Sequence, residues 1–437
     1  MEKIGNSLWR KSLLGCAMGG GIVGLALLLV GNQASGQTCN GERYRYTSAF
    51  PEVTVTYDLP YGSNVNVYGV DEELVFDLYQ PAGDAATDRP LVVLAHGGFF
   101  LGGANDGEDV VPLAEDLARM GYVVASMSYR LGITNILDLQ GELTRAVWRG
   151  VHDSRAAVRY FRKSVAESGN PYGIDPDRIF LGGVSAGGFI ALHHAYVDQV
   201  SEIPTAVDAQ APGMGGGLEG QSGSPGYSSA VAGIFNICGA IREASWLAAG
   251  DVPLVSVHGT ADMTVPYGTG TVSLMGFPVI EVDGSSVIHD QAEALGLDHC
   301  FVPIEGADHV PHVTDGAAYE LTLAVVAGKL STWACEDYAP QCGMYDFTSE
   351  VQDWAELREG EILLYPNPAE GSGVVRVVNA QAQPGAAWTV EIRDAGGRLL
   401  QRHRAQSSLW EGELALASGV YLVTVPEAGV TLRWLAR

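Results

Sequence analysis

The sequence predicts an α/β protein, with a mostly parallel sheet covered by helices on both faces and a small all-β sandwich at the C-terminus. Three observations predict it. Continuous apolar runs such as Pro90-Leu91-Val92-Val93-Leu94-Ala95 and Pro253-Leu254-Val255-Ser256-Val257 read as strands buried on both faces. They alternate with segments of helical spacing, as through Leu143, Val147, Val151, Ala156 and Val158. After Cys342 the pattern changes to short alternating strands separated by glycine-rich turns.

In chain order, Val53 to Tyr57 and Leu74 to Tyr79 alternate like strands with one solvated face. The strand at Leu91 follows, then a helix from Asp109 to Met120, a strand from Tyr122 to Met127 and a helix from Glu142 to Ala166. Ile179 to Val184 reads as a strand and Ala186 to Val200 as a helix. Leu254 to Val257 and Cys300 to Ile304 are later strands, and Ala317 to Thr332 is a closing helix. Gly213 to Gly217 and Ser222 to Gly226 cannot form a regular element, and read either as a solvated loop or as a flexible border of a cleft.

The chain has 437 residues, enough for a large domain plus a smaller one. Its formal net charge of −26 argues against a nucleic-acid ligand, because phosphate binding needs a basic face. Lys3, Arg10 and Lys11 precede the uncharged apolar stretch Leu13 to Val30, and Gln33-Ala34-Ser35-Gly36 supplies small residues for cleavage. Residues 1–36 are therefore expected to be a signal peptide, residues 37–345 the large domain, 346–360 a polar linker and 361–437 the β-sandwich. Cys16 leaves with the leader. Cys39, Cys238, Cys300, Cys335 and Cys342 then make an odd number, so at least one thiol stays outside any intrachain disulfide, and the pairing is open.

The chemistry centres on Gly183-Val184-Ser185-Ala186-Gly187, a G-x-S-x-G run between an expected strand and an expected helix. That context lifts a serine above the end of the sheet and aims a helix N-terminus at the reacting oxygen. A serine needs a base, and the base an orienting acid. Asp262 follows the strand ending near Val257, and His309 follows the strand ending at Ile304. We expect Ser185, Asp262 and His309 to be nucleophile, acid and base, with His309 preferred to His312, and Asp262 to Asp308. His258 reads as a strand-end packing residue, too close in sequence to the acid to be the base. His96-Gly97-Gly98-Phe99 follows the Leu91 strand, where glycines let amides approach an oxyanion. The N–H groups of Gly98, Phe99 and Ala186 are the expected donors. No metal-ligand spacing emerges, and the chemistry needs no cofactor.

With His96-Gly97-Gly98-Phe99, Tyr129-Arg130, Asp153-Ser154-Arg155 and Gly183 to Gly187 in place, residues Tyr44 to Trp333 resemble the α/β-hydrolase family, in its carboxylesterase and hormone-sensitive-lipase-like branch. The resemblance implies a serine carboxylesterase acting on a small-molecule or polymer-borne ester. Phe99 stands where many relatives place a third glycine. A serine peptidase on the same fold and a non-catalytic surface protein are the rival readings. The tail, with Tyr365-Pro366-Asn367-Pro368, Asp394-Ala395-Gly396-Gly397 and Ser418-Gly419-Val420-Tyr421, resembles the C-terminal sorting domain of type IX secretion in Bacteroidetes. That resemblance implies export through the periplasm, the secretion machinery as partner, and a secreted or cell-surface location.

Overall fold

The computed structural model describes residues 43–335 except 48, 275 and 276, residue 342, and the strands with some adjoining residues between 362 and 436. The expected signal peptide, Cys39, the linker and the Pro366 to Pro368 motif lie outside the described residues.

An eight-stranded sheet forms the body, in the order β1-β2-β4-β3-β5-β6-β8-β11. Its strands are β1 (Val53–Val65), β2 (Asp71–Pro81), β3 (Arg89–Ala95), β4 (Val123–Met127), β5 (Ile174–Val184), β6 (Gly233–Ile237), β8 (Leu254–Gly259) and β11 (His299–Ile304). The pairs β1/β2 and β2/β4 are antiparallel, and the pairs from β4 through β11 are parallel. A small second sheet orders β7 (Ala240–Ile241), β10 (Phe277–Gly284) and β9 (Thr269–Leu274).

Side-chain alternation explains the two-sided cover. Leu91, Val93 and Ala95 of β3 join one core with α2 (Leu139–Ser168), α3 (Ala186–Tyr196) and α4 (Ser285–Leu295). Val92 and Leu94 point the other way, into a core shared with α1 (Val111–Arg119) and α6 (Gly316–Ala334). A strand walled on both sides needs no polar face, hence its continuous apolar run. The short helix α5 (Pro311–Thr314) precedes α6.

Several expected helix ends move, with α2 longer than expected at both ends, and two shifts have a visible cause. α3 stops at Tyr196 rather than Val200, because Val197 is extended and the Glu202 carboxylate accepts the N–H groups of Asp198 and Gln199, diverting the backbone. α1 starts at Val111, since the Asp109 carboxylate is engaged elsewhere.

The glycine-rich run after Gly213 is pinned along α2. Arg130 Nη1 donates to Gly213 O at 2.8 Å, His152 Nε2 to Gly217 O at 2.7 Å and Arg155 Nη1 to Leu218 O at 2.8 Å. Arg159 holds Glu219 and Gly223. Three arginines and a neutral histidine, all donating to carbonyls, fix a segment that has no ladder of its own.

Toward the C-terminus lie two antiparallel sheets, β12-β13-β16 and β15-β14-β17-β18, from β12 (Ile362–Tyr365), β13 (Val374–Asn379), β14 (Trp388–Asp394), β15 (Leu399–Ala405), β16 (Leu409–Glu413), β17 (Gly419–Val425) and β18 (Val430–Ala436). This is the small all-β region that the short alternating strands predict.

Cys300 is bonded to Cys342. Cys335 is also disulfide-bonded, to a partner outside the described residues. Cys238 is the free thiol among the described residues.

Candidate active site

Ser185 sits between β5 and α3 with φ 52° and ψ −111°, a left-handed conformation rare for a side-chain-bearing residue. The glycines around it are forced by close backbone approach. A Cβ on Gly183 would lie 2.1 Å from the Gly187 carbonyl carbon, and one on Gly187 would lie 2.0 Å from Ala95 O. Neither neighbour can give way, so the elbow tolerates only glycine at both positions. The Ser185 N–H is anchored on Ile237 O at 2.8 Å.

The three residues read as nucleophile, acid and base meet at the C-terminal end of the parallel strands. Ser185 Oγ lies 2.8 Å from His309 Nε2, and His309 Nδ1 lies 2.6 Å from Asp262 Oδ2. A carboxylate only accepts, so Nδ1 carries the ring proton and Nε2 is left to accept from the serine hydroxyl. The Asp262 side chain is fully buried and that of His309 is 17% exposed. Asp262 Oδ1 accepts the Thr264 and Val265 N–H groups. Burial would raise this carboxyl, but the hydrogen bonds from His258 and His309, the His309 ring and the Val265 amide hold it well below the usual carboxylate range.

The rival residues take supporting places. Asp308 Oδ1 accepts the N–H groups of Met263 and His309, tying the acid loop to the base loop rather than touching the ring. His312 donates Nε2–H to Asp109 O at 3.2 Å. His258 is buried beneath the acid, with Nδ1 accepting from Ser285 Oγ at 2.8 Å. Cys238 Sγ, an Asp262 oxygen and a His309 nitrogen lie within 4.8 Å of one another. Burial pushes that thiol up to about 12, and the Asp262–His309 hydrogen bond occupies the other two groups.

The glycine turn lies against the elbow, since a Cβ on Gly97 would stand 3.4 Å from Ser185 Cβ. The Gly97 N–H is taken by Asp109 Oδ2 at 2.7 Å. The N–H groups of Gly98, Phe99 and Ala186 have no acceptor among the described residues. Gly98, Phe99 and Phe100 all have positive φ, of 111°, 56° and 58°. Phe99 thus adopts the left-handed conformation that a glycine would take without strain. Asp109 is the contributor that the sequence does not reveal, because it acts on a main-chain group, whereas His312, the rival base of the sequence reading, takes a structural place beside it.

A hydroxyl bonded to an imidazole that a carboxylate orients can attack a carbonyl, and amides without an acceptor in the adjoining turns are available to hold the resulting oxyanion.

Parts of the chain are similar to known proteins. Residues 76–215 match the family described as BD-FAE. The chain is 34% identical over 128 residues to mouse carboxylesterase 3B, covering 29% of this chain and 21% of that one. It is 33% identical over 126 residues to human carboxylesterase 3 (28% and 21% covered) and 29% identical over 130 residues to bovine bile salt-activated lipase (28% and 21% covered). The aligned stretch thus spans about a fifth of these relatives' own length. Among solved structures, the apo form of Thermogutta terrifontis esterase 2 is 24% identical with a TM-score of 0.46, covering 68% of this chain and 100% of that one. A truncated carbohydrate esterase from gut microbiota is 17% identical with a TM-score of 0.46, covering 64% and 96%. The strand order, the serine elbow and the covering helices are those of the α/β-hydrolase fold.

Proposed function

We propose that the protein is a secreted serine carboxylesterase. Ser185 Oγ attacks the carbonyl carbon of an ester while His309 Nε2 takes its proton. The oxyanion is received by the N–H groups of Gly98, Phe99 and Ala186. Collapse of the tetrahedral intermediate expels the alcohol, which takes the proton from His309. Water, deprotonated by His309, then cleaves the acyl-enzyme and releases the acid. Asp262 keeps the imidazole in the tautomer this requires and stabilises the imidazolium. The substrate is a small-molecule or polymer-borne carboxylic ester.

The observation that carries the reading is the unbroken chain from Ser185 Oγ through His309 to Asp262, at 2.8 Å and 2.6 Å. The sequence relatives named carboxylesterase and lipase support it. Hydrolysis of p-nitrophenyl acetate by wild type and Ser185→Ala tests it. The variant is expected to lose about four orders of magnitude or more in kcat. Undiminished activity in the variant contradicts the assignment. Faster turnover of peptide amides than of esters would move the reading to a serine peptidase.

Export rests on the leader and tail motifs, with the antiparallel tail strands as support. Deleting residues 361–437 is expected to strand the enzyme in the periplasm, and unchanged delivery outside the cell would contradict a sorting role.

A further inference from the structure

Two segments far apart in the chain meet at Asp109, just before α1. Its carboxylate Oδ2 accepts the Gly97 N–H at 2.7 Å, and its main-chain carbonyl accepts His312 Nε2–H at 3.2 Å. Gly97 opens the glycine turn, and His312 lies three residues beyond His309. We propose that Asp109 is a positioning residue which, with His312, straps the oxyanion turn to the loop of the base. The catalytic meaning of the strap rests on the roles given above to Ser185 and His309; the strap itself can be measured without them.

The turn is held peptide by peptide. Tyr129 Oη donates to His96 O at 2.8 Å, and Asp109 takes the N–H at the other side of that same peptide. The next peptide is fixed by His96 Nδ1, which donates to Gly97 O at 2.6 Å. In a trans peptide the C=O and N–H point in opposite directions, so a carbonyl drawn to the His96 ring sends the Gly98 N–H away from it. Both planes are therefore set before the chain enters its positive-φ run at Gly98. There is no slack on either side, since a Cβ on Gly97 would stand 3.1 Å from Asp109 Oδ2 and 3.4 Å from Ser185 Cβ.

Charge does not explain a carboxylate here. A negative group beside an oxyanion site opposes the charge that develops there. Asp109 therefore acts by hydrogen-bond geometry, and an amide oxygen at the same place accepts the same N–H without the charge. His312 reaches the strap from the other end: it is buried, and its Nε2 must carry the proton because a carbonyl only accepts.

The test compares wild type with Asp109→Ala, Asp109→Asn and His312→Ala in the full chain. It reads kcat and KM on p-nitrophenyl acetate and hydrogen–deuterium exchange of the segment 96–103. Asp109→Ala is expected to lower kcat by about tenfold to a hundredfold while KM stays within about twofold, as for a misplaced oxyanion donor. Asp109→Asn should restore kcat to within about threefold of wild type, because geometry rather than charge is what it keeps. Exchange in 96–103 should rise in Asp109→Ala and His312→Ala and stay low in Asp109→Asn. Unchanged exchange in both alanine variants overturns the strap. Raised exchange with wild-type kcat overturns its positioning role, and so does an Asn variant as poor as the Ala variant. Should Asp109→Ala fail to fold, His312→Ala and Asp109→Asn still decide between these outcomes. No ester hydrolysis by folded wild type would overturn the carboxylesterase reading instead, and exchange in 96–103 that is low in wild type but raised in both alanine variants would still support the strap.

Discussion

His258 Nε2 lies 3.3 Å from the same Asp262 oxygen that accepts His309 Nδ1–H. The chain continues inward, with Asn236 Nδ2 donating to Ser285 Oγ at 3.0 Å and Ser285 facing His258 Nδ1. The Asp262 carboxylate is thus gripped from the His309 side and from the core side. Removing the core-side donor should let burial act on the carboxyl and raise it. His258→Phe is expected to cost about 1.5–3 kcal/mol in urea unfolding, the range for a hydrogen bond to a charged group, and to lower kcat. A group held below its ordinary value stabilises the fold above pH 3.8 and loses that contribution as pH falls through the folded value. The variant should therefore lose activity at a higher pH on the acid side, and an unchanged acid limb would contradict this.

Arg130 and Asp153 form an ion pair at 2.8 Å with both side chains fully buried. Ser222 Oγ donates to Asp153 Oδ1, and Arg130 also reaches Val65 O and Gly213 O. Asp153→Ala would leave an uncompensated buried guanidinium, and is expected to cost about 3–5 kcal/mol in chemical denaturation. The loop after Gly213 should become sensitive to limited proteolysis in the same variant. Wild-type protease resistance there would show that the pair does not hold the loop.

Burial sets the acid sensitivity of the fold. It lowers His152 and His193 from 6.5 to about 4, and lowers His194 and His289 from 6.5 to about 3. Above pH 6.5 folded and unfolded chains both hold these rings neutral. Below 6.5 the unfolded chain takes up protons that the folded one refuses, so stability falls as pH drops toward the folded values, by up to ~1.4 kcal/mol per histidine per pH unit. The thermal midpoint should decline between pH 6.5 and 4.5, and a flat profile over that interval would contradict it.

Gly187→Ala tests the elbow. The added Cβ would stand 2.0 Å from Ala95 O and 2.6 Å from Ala95 C, both backbone atoms of a central strand. Overpacking against backbone is expected to cost at least ~3 kcal/mol or abolish soluble expression. A stable, fully active variant would show that the turn is looser than described.

Much of this was legible in the chain, for physical reasons that differ by residue. Leu91 to Ala95 and Leu254 to Val257 announce themselves because burial on both faces demands unbroken apolar runs. Ser185, Asp262 and His309 were each legible as residues just past a strand end, where the sheet gathers them. The β7-β10-β9 sheet and α4 were not, since α4 follows Gly284, which offers no side-chain cap, and β7 has only two residues. Arg130 and Asp153 both stand out in the sequence, but their mutual pairing and the reach to Ser222 across 69 residues depend on the finished fold. Asp109 and its link to His312 were illegible for another reason: the bonds go to a main-chain N–H and a main-chain carbonyl, groups that every segment offers.

The most direct test of the central claim is mass spectrometry of the intact chain after reaction with a fluorophosphonate, followed by peptide mapping. One adduct per chain is expected, on Ser185, with none in Ser185→Ala and much slower labelling in His309→Ala. An adduct on another residue, or labelling of Ser185→Ala at the wild-type rate, would contradict it.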